Sequence, residues 1–260
     1  MKDKVIVITG ASAGIGAALA EEVVRRGGNV VLAARREPEL AALASKLGDA
    51  AHPVVTNVTL RADLERLRER AIARFGHIDV WVNNAGRGIS RLPSELTDDD
   101  IDDMIAINLK SVVYGIQAVL PHFKERKRGQ IITVSSGLAR LPFAAIRSAN
   151  SASKAAVNLL MASLRGELRA DYPDIWATTV MPGVVATEFG SSALHGGMDS
   201  RKIPGAQPVG EVATVIADAI EKPVAECYTR PQMRETVARY YSAEDVAPLE
   251  AQMSLPLPKP

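Results

Sequence analysis

Thr9-Gly10-Ala11-Ser12-Ala13-Gly14-Ile15-Gly16 follows the apolar run Val5-Ile6-Val7-Ile8 and precedes an Ala-rich stretch, 17–26, that stops at Gly27-Gly28. The short β-branched run reads as a buried strand. The Ala-rich stretch reads as a helix and the paired glycines as its end. Strand, glycine turn and helix in that order leave backbone N–H groups unpaired at a helix N-terminus, where an anion is favoured. Glycine lets the chain turn sharply and lets a pyrophosphate approach the backbone. Alone, the loop reads equally well as a tight turn without a ligand, so the rest of the chain decides.

The chain has 260 residues, 47% hydrophobic and 23% charged, enough for a large core in one α/β domain, 1–260. Its net charge of +1 and the lack of a Lys/Arg run argue against nucleic acid or a membrane surface as partner. One cysteine, Cys227, excludes an internal disulfide and a cysteine metal cluster. His52, His77, His122 and His195 are scattered without metal spacing, so no metal is expected. The first apolar run is too short for a signal peptide or a membrane span, which makes a soluble, cytoplasmic protein the expectation.

Thr-Gly-x-x-x-Gly-x-Gly directly after the first strand resembles the short-chain dehydrogenase/reductase family. Asn83-Asn84-Ala85-Gly86, at the exit of a fourth strand over 78–83, matches a second signature of that family. The resemblance spans roughly residues 4–230. It implies a Rossmann-type, doubly wound, mainly parallel seven-stranded sheet flanked by helices, with ligands at the carboxyl ends of the strands. It also implies hydride transfer between a nicotinamide dinucleotide and a carbonyl or alcohol, in a homotetramer or homodimer. Gly10, Ser12, Gly14, Ile15 and Gly16 then hold the pyrophosphate, and Asn84, Ala85 and Gly86 make room for the cofactor.

A second strand, 29–34, ends in Arg35-Arg36, where an NAD-binding domain places an acid against the ribose. Two guanidiniums suit a 2′-phosphate instead, so NADP (NADPH) is expected over NAD. The third strand and its exit, 53–58, place Asn57 where the family has Asp for the adenine amino group, with Val58 beside it as a further cofactor-binding residue; the amide oxygen of Asn57 can still accept that bond. Thr59 is expected to cap a helix reaching Phe75. A long helix from Ile101 to about Glu125 contains Asn108, and Pro121 is expected to kink or stop it. By resemblance, Asn108 distorts this helix and its main-chain carbonyl holds a water leading to the active-site lysine.

The exit of a fifth strand carries Ser136, matching the family serine that hydrogen-bonds the substrate carbonyl. The next segment, Asn150-Ser151-Ala152-Ser153-Lys154, matches the Tyr-x-x-x-Lys pattern except at its first residue. Positions four apart share a helix face, so residue 150 and Lys154 point together. In the family, the lysine lowers the phenol pKa and holds the nicotinamide ribose, and the phenol exchanges the proton. An asparagine amide polarises a carbonyl but does not titrate usefully. Cofactor binding with much reduced turnover is therefore expected. A recent change in an active enzyme, a natural NADP-binding sensor or scaffold without catalysis, and a flavin or nucleotide-sugar enzyme on the same fold all stay open.

Pro182, Gly183, Val185 and Thr187 match the residues that hold the nicotinamide carboxamide. The Gly-rich stretch 188–207 reads as a substrate lid. Its Phe189, Leu194, Met198 and Ile203, with Leu138, Leu141 and Phe143, predict a mainly apolar pocket and an apolar substrate. His195 and Arg147 are available for polar substrate groups, although surface exposure is the ordinary fate of such residues. Helices are expected at 209–220 and 237–246, a last strand at 225–229, and a frayed tail over about 247–260.

Overall fold

Every residue of Val5–Thr9, strand β1, is buried, and the pleat explains why the run is apolar throughout. Successive side chains point to opposite faces. Val5 and Val7 enter one core, Ile6 and Ile8 the other. The computed structural model describes residues 1–253. Its other strands are β2 (Asn29–Ala34), β3 (Ala51–Val55), β4 (Val80–Asn83), β5 (Gly129–Val134), β6 (Ile175–Met181) and β7 (Glu226–Tyr228). They form one seven-stranded sheet in the order β3-β2-β1-β4-β5-β6-β7. Every neighbouring pair is parallel, so the sheet is wholly rather than mainly so. The strand order reverses at β1 and β4, which opens a crevice beyond their carboxyl ends.

Helices α1 (Gly14–Arg25), α2 (Glu37–Leu47) and, later in the chain, α7 (Val209–Glu221) cover one face through residues such as Leu19, Leu40 and Ile216. On the other face lie α3 (Arg61–Phe75), α5 (Ser111–Arg126) and α6 (Ser148–Leu168), through Leu67, Phe123 and Met161. A short α4 (Asp98–Ile105) runs into α5 through a π-helical turn, Ala106–Lys110. The run Asp98–Arg126 is long and apolar enough to cross a membrane by length and composition, but its Val112, Val119 and Phe123 pack against the sheet.

Several boundaries differ from the sequence reading. Thr59 does not cap α3: its N–H and hydroxyl both donate to Asn57 Oδ1, at 3.1 and 2.8 Å, and Leu60 is the N-cap. A local Asx turn has outcompeted the cap. Pro121 does not stop α5, which continues to Arg126. An interior proline costs about 3 kcal/mol. Burial of Val119 and Phe123, both fully covered, contributes about 1.5–3 kcal/mol each and offsets it. Helix α8 (Gln232–Tyr241) begins earlier than expected, and α9 (Ala247–Met253) occupies the first part of the supposed tail. Pro256, Pro258 and Pro260 lie outside the described residues.

Candidate active site

The turn after β1 is stitched to the turn after β4. Thr9 Oγ1 accepts from the N–H groups of Asn84 and Ala85, at 3.0 and 3.1 Å. Asn84 Nδ2 donates to Thr9 O at 2.8 Å and to Gly10 O at 3.3 Å. Gly10 sits at φ +68°, and a Cβ there would lie 2.9 Å from Ala85 Cα, so the two turns approach at a distance no other residue permits. Ala13 is an extended N-cap without a side-chain hydrogen bond, and α1 has no acid in its first turn. The helix thus presents the N–H groups of Gly14, Ile15 and Gly16 to an anion.

Arg36 reaches this loop. Its Nε and Nη2 donate to Ser12 Oγ at 3.1 and 3.0 Å, and its Nη1 lies 3.3 Å from Glu39. Arg35 is exposed. Thr187 closes the other end, its Cγ2 lying 3.2 Å from where a Cβ on Gly14 would be. Its N–H donates to Val185 O at 2.8 Å. Beside it, Pro182 O accepts from Gly137 N–H at 2.7 Å, and Gly183 faces Met233. Asn57 stands at the exit of β3 next to the buried Val58. Both acceptor positions of its Oδ1 are filled by Thr59, so the oxygen assigned to adenine is already engaged.

The chemistry-bearing residues gather around the backbone of Arg87. Asn108, buried in the π-helical turn, accepts from Arg87 N–H at 3.0 Å and donates to Arg87 O at 3.0 Å. Asn150 is 4% exposed, and its Nδ2 donates to the same carbonyl at 3.0 Å. Lys154, one turn further along α6, is buried and donates to Val134 O at 2.8 Å. Burial lowers its pKa to about 8. A Cβ on Gly86 would lie 3.1 Å from Asn108 Oδ1 and 3.3 Å from Lys154 Nζ, so a larger residue there would press on both side chains. Ser136 caps the turn after β5, accepting from Leu138 N–H at 3.1 Å. It makes no hydrogen bond to Asn150 or Lys154, and its own proton stays free to donate.

The strand–glycine turn–helix cradle and the buried Lys154 thus face one crevice at the carboxyl ends of the strands. The short chain dehydrogenase family profile matches residues 4–196. The chain belongs to the short-chain dehydrogenase family. An uncharacterized oxidoreductase from Listeria monocytogenes is 38% identical over 233 residues, 86% of this chain and 92% of that protein. A short chain dehydrogenase/reductase from Burkholderia phymatum, solved with NAD, has a TM-score of 0.86 at 25% identity over 99% of each chain. Serine dehydrogenase in its closed NADP+ complex has a TM-score of 0.80 at 27% identity, over 86% of this chain and 93% of that one.

In this short-chain dehydrogenase the 188–207 segment is tied down by contacts the sequence reading missed. Leu194 pairs with Ile89 in a parallel bridge: Leu194 N–H donates to Gly88 O and Ser90 N–H to Leu194 O, both at 2.9 Å. Ser90 Oγ donates to Gly196 O at 2.7 Å. His195 is exposed, as the sequence suggests, but it is tied down: its Nε2 meets Asp100 Oδ1 at 2.6 Å. The carboxylate of Asp100 also accepts from Arg91 Nη1 and Thr97 N–H, at 2.8 and 3.1 Å. Hydrogen bonds from His195, Thr97 and Arg91 hold its pKa far below the usual carboxylate range. Leu141 is interior, and Leu194 packs on Ile89, Met104 and Ala149, so both are drawn into the core rather than into an open apolar pocket. Phe189 and Met198 remain exposed.

His195→Ala is expected to release the tip of this segment. A hydrogen bond to a charged group is worth about tenfold or more in a local opening equilibrium. Amide exchange at Leu194 and Gly196 should quicken accordingly while exchange in β1 and β5 stays unchanged. Equal protection in both proteins would show that the backbone ladder alone holds the segment.

Proposed function

We propose that this chain binds NADPH and belongs to the carbonyl- and alcohol-converting oxidoreductases of its family, with low turnover because Asn150 stands where the proton-donating tyrosine belongs. The observation that carries this reading is the face of α6 on which Asn150 precedes the buried Lys154 by one turn, both beside the Gly86–Arg87 backbone. The cradle fits a dinucleotide: an uncapped helix N-terminus, glycines whose Cβ atoms would clash, and Arg36 poised over Ser12.

When bound, the nicotinamide supplies the hydride. Lys154, with its pKa near 8, carries charge at neutral pH and holds ribose hydroxyls. Ser136 donates its hydroxyl proton to a carbonyl oxygen. Asn150 orients that oxygen but does not protonate it. The engagement of Asn150 Nδ2 with Arg87 O favours a second reading, an NADP-binding sensor that catalyses nothing.

Titration of the purified protein with NADPH and NADH, followed by nicotinamide fluorescence, tests the first step. Tight NADPH binding is expected; none at all sinks both readings and leaves a flavin or nucleotide-sugar ligand. Relatives occur with either dinucleotide, so the choice rests on the arginines. Arg36→Asp is expected to weaken NADPH by on the order of 10- to 100-fold, the size of a charge-assisted hydrogen bond to phosphate. NADH should change little. Equal weakening of both would remove the 2′-phosphate from the argument.

A further inference from the structure

The first turn of α6 carries a charge that the reaction described above does not use. Arg147 is its N-cap residue, and its half-buried guanidinium lies against the 188–207 segment. Nη1 is 3.2 Å from where a Cβ on Gly88 would be, and Nη2 is 2.9 Å from the same position on Gly197. Among the described residues the guanidinium makes one hydrogen bond, Nη1 to Ile89 O, at 3.1 Å. Among the described residues no carboxylate pairs with it, and burial alone lowers its pKa. A desolvated cation without a counterion is costly, and proteins ordinarily pair such groups.

Two further features point the same way. Helix α6 has neither a side-chain cap nor an acid in its first turn. Ser148 Oγ, in the next residue, is buried without a hydrogen-bond partner. Arg147, Asn150 and Lys154 are spaced i, i+3, i+7, so they line one face of the helix. The backbone of Arg147 thus stands about 5 Å along the helix axis from that of position 150, on the side away from Lys154, and its guanidinium reaches Gly88, Ile89 O and Gly197.

We propose that Arg147 is a specificity residue that receives a carboxylate on the substrate, so that the preferred substrate class is an oxo or hydroxy acid. This inference rests on the oxidoreductase reading. A single carboxylate is favoured over a phosphate dianion because the neighbouring cations are already matched. Arg91 pairs with Asp100 at 2.8 Å, and Arg87 faces Asp103 at 3.9 Å. The expected substrate is then acidic at one end, with Phe189 at the rim beside Gly88 to meet an apolar arm. This adds an acidic end to the mainly apolar substrate expected from the sequence and gives Arg147 the polar contact that reading left open.

The test is binding, so it does not depend on turnover. Protein saturated with NADPH is titrated with 4-oxopentanoate and with 2-pentanone, followed by the fluorescence of the bound nicotinamide. The oxo acid is expected to bind 10- to 100-fold more tightly, the size of a charged hydrogen bond. Arg147→Met should abolish that preference without changing NADPH affinity, and Arg147→Lys should keep part of it. Should the Met variant fail to fold, the Lys variant and the salt dependence of the natural chain decide. Equal binding of the two ligands by the natural chain, or a preference that survives Arg147→Met, overturns the proposal. Inorganic phosphate competing better than acetate overturns the carboxylate assignment. Failure of NADPH to bind overturns the oxidoreductase reading instead, and the same pair titrated onto cofactor-free protein then decides Arg147.

Discussion

Asn150→Tyr is expected to raise the rate of ketone reduction by about 10²- to 10⁴-fold, the usual contribution of general acid–base catalysis. Asn150 is buried on the face of α6 that also carries Lys154. Its amide has no proton to give near neutral pH. A phenol at this position would lie one turn from an ammonium whose pKa is about 8, and a positive neighbour stabilises phenolate and lowers the phenol pKa from about 10. Nothing else need be built: Ser136 keeps its hydroxyl proton, and Asn108 keeps its hold on Arg87. The measurement is NADPH oxidation across a panel of ketones and oxo acids, with the melting temperature as a control, because tyrosine is larger than the buried asparagine it replaces. Folded, NADPH-binding Asn150→Tyr protein that reduces nothing would favour the sensor reading. A natural chain that already turns over as fast as the Tyr variant would remove the argument that the asparagine limits the rate.

The fold was legible because its signals are local. A β-branched run buried on both faces, a glycine turn and an Ala-rich helix occupy adjacent residues, and buried apolar runs recur in β2 and β4. The spacing from Asn150 to Lys154 was equally local, since helix geometry alone puts four-residue neighbours on one face. What stayed hidden depends on distance or on competition. His195 and Asp100 are 95 residues apart and meet only because the 188–207 segment folds back over α4. Thr59 carries a good capping side chain, but Asn57 offered it a nearer acceptor. Pro121 reads as a stop unless the burial of Phe123 is known. Arg147 resembles any surface arginine until the chain that covers it is in place. The common cause is that local chemistry names a residue's options, and packing selects among them.

Gly16→Ala is expected to abolish dinucleotide binding, raising the NADPH dissociation constant at least 100-fold, because the added methyl has no place to go. A Cβ at position 16 would lie 2.4 Å from Gly10 O, 2.6 Å from Asn84 Nδ2 and 2.9 Å from Gly10 C. All three are fixed. Gly10 is held at φ +68°, and Asn84 Nδ2 is committed to Thr9 O and Gly10 O. Relief requires α1 to move off the turn or Asn84 to leave it, and either movement withdraws the N–H groups that face the pyrophosphate. Overpacking of this kind costs about 1–3 kcal/mol or more, against a total stability of roughly 5–15 kcal/mol for a domain. The variant should therefore fold with a lowered melting temperature. Gly166→Ala supplies the control: a Cβ there meets nothing within 4 Å, so the helix should gain rather than lose stability with NADPH affinity unchanged. If Gly16→Ala bound NADPH as the natural chain does, the glycine turn would be a structural corner only, and the dinucleotide would have to be sought elsewhere on the sheet.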